Sequence, residues 1–216
     1  MNELIFGSGR RYICRFAAAA DLPALHTFYT QFFHDITPPV DLMLRWIKRA
    51  PEALAMIYRL PVEERNERGD TLIGSFKMLP LQAGAIAGVE ASRLTGSNLG
   101  PEHLASGPEE AAAYYVGDVA AQDWIAKGAL LGYLLRAFER VPAHLPIFAR
   151  PYTCEGRRIM TGYGFMRVGE LQGGPEIGQM CVLRQAADSS SKNARRLRRL
   201  GGEGDGPLTL ARDADG

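Results

Sequence analysis

The sequence predicts a mixed α/β (α+β) fold, with one central, mostly antiparallel sheet and helices on both of its faces. Segments of strand period and of helix period follow one another as β-α-α-β-β-insertion-β-α-β-α-β-β, which is not the strict alternation of a parallel sheet. The second half holds a strand-helix-strand run that calls for a parallel crossover, while 54–60 with 71–79, and 168–171 with 177–183, are joined closely enough to pair antiparallel. Of the 216 residues 46% are hydrophobic and 23% charged, which suits one packed domain and excludes a fibrous or wholly disordered chain.

Residues 11–16 (RYICRF) alternate Tyr12, Cys14 and Phe16 with Arg11, Ile13 and Arg15, a first strand with partly polar faces. Asp21 stands as an N-cap with Pro23 in the first turn, and Leu22, Leu25, Phe28, Tyr29, Phe32 and Phe33 then recur at helical spacing. Pro38 and Pro39 break the chain before Val40, Met43, Leu44 and Ile47 repeat that spacing in a helix ending near Arg49. Residues 54–60 (LAMIYRL) and 71–79 (TLIGSFKML) are strands, joined into a hairpin by the charged turn 63–70.

Residues 82–110 are rich in Gly, Ala and Ser, with one helical turn expected around 89–94. A structureless connection rarely exceeds roughly 15 residues, so this stretch is either a lid or substrate-facing excursion, or a variable surface insertion. Residues 113–120 are the next strand. Residues 122–140 are a long helix with Leu131, Leu134, Leu135 and Phe138 as its core stripe. A short buried strand (146–150), a short helix (155–162) and a hairpin of 168–171 with 177–183 around Gly173-Gly174-Pro175 complete the domain.

Basic and acidic residues number 25 and 24, so no overall field recruits nucleic acid or an anionic membrane. The basic cluster Lys192, Arg195, Arg196, Arg198 and Arg199 lies beyond Phe165, the last aromatic, in a segment with little to bury. Residues 1–185 are therefore expected to form the domain and 186–216 a disordered tail, without the interleaved aromatics of a nucleic-acid binder. No apolar run is long enough to span a membrane, and the N-terminus has no secretory-signal core. Cys14, Cys154 and Cys181 form neither a disulfide framework nor a metal pair, so a cytoplasmic, metal-free protein is expected.

The chemistry concentrates where the strand Val116-Gly117-Asp118-Val119 leads to a helix carrying Lys127-Gly128 in its opening turns. A glycine there lets backbone N–H groups approach an anion, and the helix dipole favours negative charge. The second distinctive segment is 157–170, a short helix running into Tyr163-Gly164-Phe165 and a strand ending Val168-Gly169-Glu170. With these two segments and its element order, the chain resembles the GNAT superfamily of acyl-coenzyme A-dependent N-acyltransferases over residues 11–184. The resemblance implies that Val116, Gly117 and Val119 contact the pantetheine arm of acetyl-CoA as co-substrate. It also implies that Lys127, Gly128, Ala129, Leu130, Leu131 and Gly132 hold the pyrophosphate. Ile125 and Leu130 stand where the family's loop has Gln or Arg and its second Gly or Ala, and Leu130 is expected to crowd the diphosphate.

An amine of pKa about 10 is protonated at neutral pH, so transfer to it needs a base and, for the leaving thiolate, an acid. Asp118, on the cofactor strand, is the expected base. Met160 stands where the family often has its acid tyrosine, which leaves Tyr163, or Tyr152, for that role. Glu90 and His103 lie in the 82–110 excursion, and Cys154 has no histidine near it in sequence to activate it as a nucleophile. Phe33 and His34, beside Phe32 and Tyr29, are expected to wall the acceptor pocket. The expected activity is transfer of an acetyl or other short acyl group to a small-molecule or peptide amine. The alternative, motivated by Ile125, Leu130 and Met160, is a catalytically inactive GNAT-fold protein that binds coenzyme A or a partner; a homodimer is left open.

Overall fold

The computed structural model describes residues 2–5, 11–60, 70–169 and 175–184. The tail 186–216, the Gly173-Gly174 turn and all but the last residue of the 63–70 turn lie outside the described residues. Among the described residues the sheet has eight strands: β1 (Asn2–Ile5), β2 (Arg11–Phe16), β3 (Leu54–Arg59), β4 (Thr71–Leu81), β5 (Ala113–Ala121), β6 (Ile147–Ala149), β7 (Met166–Arg167) and β8 (Cys181–Leu183). Their order is β1-β2-β3-β4-β5-β6-β8-β7, and every pairing is antiparallel except β5 with β6. This is the mixed, mostly antiparallel sheet expected, with β1 as an edge strand that the sequence pattern did not announce.

Among the described residues five α-helices cover the sheet: α1 (Leu22–Phe33), α2 (Val40–Arg49), α3 (Ala83–Glu90), α4 (Trp124–Glu139) and α5 (Cys154–Tyr163). Alternation along β5 divides the core between two faces. Ala113 and Tyr115 join Leu25, Tyr29 and Trp46 from α1 and α2, whereas Tyr114 and Val116 join Leu130, Tyr133 and Met160 from α4 and α5.

The 82–110 stretch departs from both expectations. Its helix, α3, precedes the turn foreseen at 89–94, because Ala85 and Val89 share one helical face and are both buried. Leu99 and Leu104 are fully buried as well, Leu104 bridges to Leu81, and the Trp46 indole donates to the Leu99 carbonyl at 2.6 Å. Much of the excursion is thus a wall of the α1–α2 core. The first strand of the final hairpin begins at Met166–Arg167, ahead of the expected 168, because Gly164 closes α5 in the left-handed conformation (φ 86°) and the chain turns at once into β7; residues 170–171 of the expected strand lie outside the described residues.

Asp21 sits at the N-cap of α1, but its side chain makes no cap to that helix. The carboxylate accepts the Ala18 N–H at 2.8 Å and pairs with both terminal nitrogens of Arg15, at 2.6 and 2.7 Å, tying the end of β2 to the helix start. The Arg15 hydrogen bonds hold the Asp21 carboxyl below its ordinary value of 3.8. The stabilisation is therefore complete above that value and is lost as pH falls through the lower folded-state value. Asp21→Asn is expected to cost about 1 kcal/mol at neutral pH. The Tm difference from the parent should narrow only in acid; a difference that stays constant into strong acid would refute this assignment.

Candidate active site

Along β4, Ser75, Lys77 and Leu79 face the α1–α2 side. Ser75 donates to the Ala55 carbonyl at 2.7 Å and shares a 2.8 Å bond with the Tyr29 hydroxyl. Lys77 has no solvent exposure, and its ammonium lies 4.6 Å from the centre of a Trp46 ring. A buried ammonium needs a counter-charge and hydrogen-bond acceptors. The Gly96 carbonyl, from the 82–110 excursion, accepts one N–H at 2.9 Å, and Asp118 Oδ2 stands 2.6 Å away.

Asp118 reaches this position because β5 carries an extra residue. The register runs from Ser75↔Ala120 to Lys77↔Gly117, three steps on β5 against two on β4. Asp118 takes the left-handed conformation at the bulge (φ 49°), which Asp tolerates better than most residues. Burial lowers the Lys77 pKa from its ordinary value, and Asp118 opposes that shift. Space around the lysine is set by two glycines: a Cβ on Gly96 would lie 2.9 Å from Lys77 Nζ, and one on Gly117 would lie 3.1 Å from its Cε.

The bulge also borders the point where β5 and β6 part. Their last matched pair is Val116↔Ala149, so from Gly117 onward β5 has, among the described residues, no strand partner on that side. The gap is a cavity of about 190 Å³ between residues 116–121 of β5 and 149–153 of the β6 end, floored by α4 and α5 and reached from α1 by Phe33. A larger groove of about 600 Å³ lies elsewhere, between α4 and the β2–β3 end, lined by Cys14, Tyr114 and Arg140 among others and by none of the predicted site residues. Burial pushes the Cys14 thiol up to about 12, so it is no nucleophile.

Of the sequence-predicted residues, Asp118, Val116, Gly117, Val119, Lys127, Leu130, Leu131, Tyr163 and Phe33 meet at the cavity. Gly128, Ala129, Gly132 and His34 do not line it. The helical period turns Ala129 into the core, a Cβ on Gly128 would meet nothing within 4 Å, and His34 is exposed at the turn after α1. Leu130, only 1% exposed, packs toward Gly74 under the cavity floor. Tyr163 donates to the Leu131 carbonyl at 3.4 Å and packs edge-on against Phe138, and burial raises its hydroxyl to about 12. Glu90 pairs with Arg184 and His103 accepts the Gly100 N–H; neither lines the cavity.

Lys77, Gly96, Tyr152 and Glu155 complete the neighbourhood. Lys77 had a signal, a lone cation within an otherwise apolar strand, whereas its partners are distant in sequence. At the start of α4 the cap is Asp123, whose carboxylate accepts the Ala126 N–H at 2.7 Å. Lys127 donates to Glu155 on α5 at 2.6 Å. Among the described residues there is no group of three or more His, Cys, Asp or Glu placed to hold a metal, and no helix long and apolar enough to cross a membrane.

No family model matches the chain, and no curated protein matches it. Among solved structures it is similar to the loading GNATL domain of CurA from Lyngbya majuscula, at 15% identity and TM-score 0.45, covering 65% of this chain and 64% of that one. The chain thus spans just under two thirds of the CurA domain. It is similar to a GNAT-family acetyltransferase from Listeria monocytogenes, at 15% identity and TM-score 0.49, covering 84% of this chain and 97% of that one. It is also similar to the GNAT-family N-acetyltransferase YhbS from Escherichia coli, a complex with CoA, at 12% identity and TM-score 0.47, covering 83% and 84%.

Replacing Lys77 by Met removes the ammonium and leaves Asp118 Oδ2 buried and uncompensated, at an expected cost of ~3–5 kcal/mol in denaturant unfolding. Adding Asp118→Asn to that variant should restore ~1 kcal/mol or more. Simple additivity of the two changes would show that the pair is not coupled.

Proposed function

We propose that the chain transfers a short acyl group from a pantetheine thioester, with acetyl-CoA as the reference donor, to an amine. The observation that carries this is the coincidence of the unpaired β5 edge with the bulged Asp118 in one cavity. An extended arm bearing amide groups can add to such an edge as a short strand does, through main-chain hydrogen bonds. The arm then runs between β5 and β6 and brings its thioester carbonyl to the bulge. Backbone N–H groups there polarise that carbonyl as negative charge develops on its oxygen.

The acceptor enters from the α1 side, past Phe33, and meets Asp118 at the bulge. Asp118 takes the ammonium proton, directly or through water, with Oδ1, since Oδ2 is turned to Lys77. The free amine forms the new C–N bond, the C–S bond breaks, and the thiolate leaves with a proton. Tyr163 is committed to the Leu131 carbonyl, so we place the returning proton on Tyr152, which lines the same cavity and is about half exposed.

A second reading has its own support: Lys77 already neutralises Asp118, as it would in a protein that binds the thioester without turnover. Calorimetry with acetyl-CoA, followed by thiol release across a panel of primary amines, separates the two. Binding with release is the outcome for an enzyme, and Asp118→Asn should then lower kcat by about 10²-fold or more with little change in KM. Tyr152→Phe should lower kcat by about 10-fold or more, and Tyr163→Phe far less. Binding without release supports the non-catalytic reading, and absence of binding at millimolar donor defeats both.

A further inference from the structure

The start of α4, where a nucleotide diphosphate would dock, is already occupied by the chain's own groups. The first turn of a helix offers N–H donors and a positive dipole end to an anion. Here Asp123 accepts the Ala126 N–H at 2.7 Å and puts a carboxylate at that end. The cation beside it, Lys127, donates to Glu155 at 2.6 Å. The other cation lining the cavity, Arg150, donates its Nε–H to the Gly178 carbonyl, while Glu155 balances Lys127 and Lys77 balances Asp118. Arg157 and Arg158, on the same helix as Glu155, are exposed and do not line the cavity. At about 190 Å³ the cavity is also smaller than the roughly 300–1,000 Å³ of pockets that enclose a drug-sized ligand. The arm-binding side, by contrast, is open: an unpaired strand edge facing apolar side chains of α4 and α5.

We propose that the donor is recognised through its amide-bearing arm alone, with Asp123 and Glu155 withholding the α4 N-terminus from the nucleotide, so that thioesters of pantetheine and of coenzyme A bind equally well. This rests on the acyl-transfer reading and names the part of the donor that the site selects. A phosphate arriving at α4 meets the Asp123 carboxylate at close range and must displace Glu155 from Lys127, so the nucleotide adds no net attraction.

The test is calorimetry on the full chain at low salt with acetyl-CoA and with acetyl-pantetheine. The two dissociation constants are expected to agree within about tenfold. A second measurement uses the double variant Asp123→Asn, Glu155→Gln. Asn is as good an N-cap as Asp, and the change at Glu155 frees Lys127. This variant should bind acetyl-CoA about tenfold more tightly and acetyl-pantetheine unchanged. Acetyl-CoA binding to the parent chain more than about tenfold tighter than acetyl-pantetheine, or a double variant with unmoved acetyl-CoA affinity, overturns the proposal while leaving acyl transfer in place. If neither thioester binds, the acyl-transfer reading falls and this one with it.

Discussion

A lysine side chain with no contact with water must be given an opposite charge, and for Lys77 that requirement organises the centre of the molecule. The counter-charge comes from Asp118, which reaches the lysine because β5 holds one residue more than β4 can match. The remaining donors need acceptors, so the 82–110 excursion must bring the Gly96 carbonyl inward, and the chain must be bare of side chain at positions 96 and 117. The Trp46 ring closes the last side and in turn fixes Leu99 through its indole N–H. One buried ammonium thus ties together α2, β4, β5 and the excursion.

The same bulge has a second effect on the opposite edge of β5. Where the strand bends to present Asp118, β6 stops following it, and the two strands part after Val116 and Ala149. The cavity and the charged pair are two results of one irregularity in register. Side-chain alternation then assigns the two sides of the sheet. Lys77 faces α1 and α2, while Leu130, Ile159 and Met160 of α4 and α5 form the floor on the other side. A ligand lying between β5 and β6 would pass from one side of the sheet to the other where these strands part.

How much of this is legible in sequence depends on the range of the interaction. Helical spacing in 22–33 and 40–49, and the charged turn between two apolar runs, are local signals, and α1, α2 and the β3–β4 hairpin lie where they point. Residues 83–90 (AGAIAGVE) carry glycines that weaken any helical signal, and α3 forms there because Ala85 and Val89 are buried by partners elsewhere in the chain. β1 is four residues long and depends on β2 for its hydrogen bonds. In the site, Asp118 stood out as a carboxylate on the strand before the glycine-bearing helix, but its left-handed conformation follows from the β4 register, which no local pattern records. The Lys127–Glu155 pair was missed for the same reason, since it joins two helices, whereas the Asp123 cap is a local feature that lies one residue beyond the expected helix start.

The strand order carries a consequence for how the molecule assembles. From β1 to β5 every strand lies beside its neighbour in sequence, the connection from β2 to β3, which carries α1 and α2, being the longest. The parallel β5–β6 pairing must wait for α4 to be laid across the sheet, and β8 can pair with β6 only after that. Lys77, Gly96 and Asp118 all precede that crossover. The chain can therefore bring its internal charges together while the second wall of the cavity is still being formed. A nascent or truncated chain ending before residue 147 would hold the charged pair without the groove beside it, a sheet with β5 as an open edge exposed to whatever extended segment it meets first.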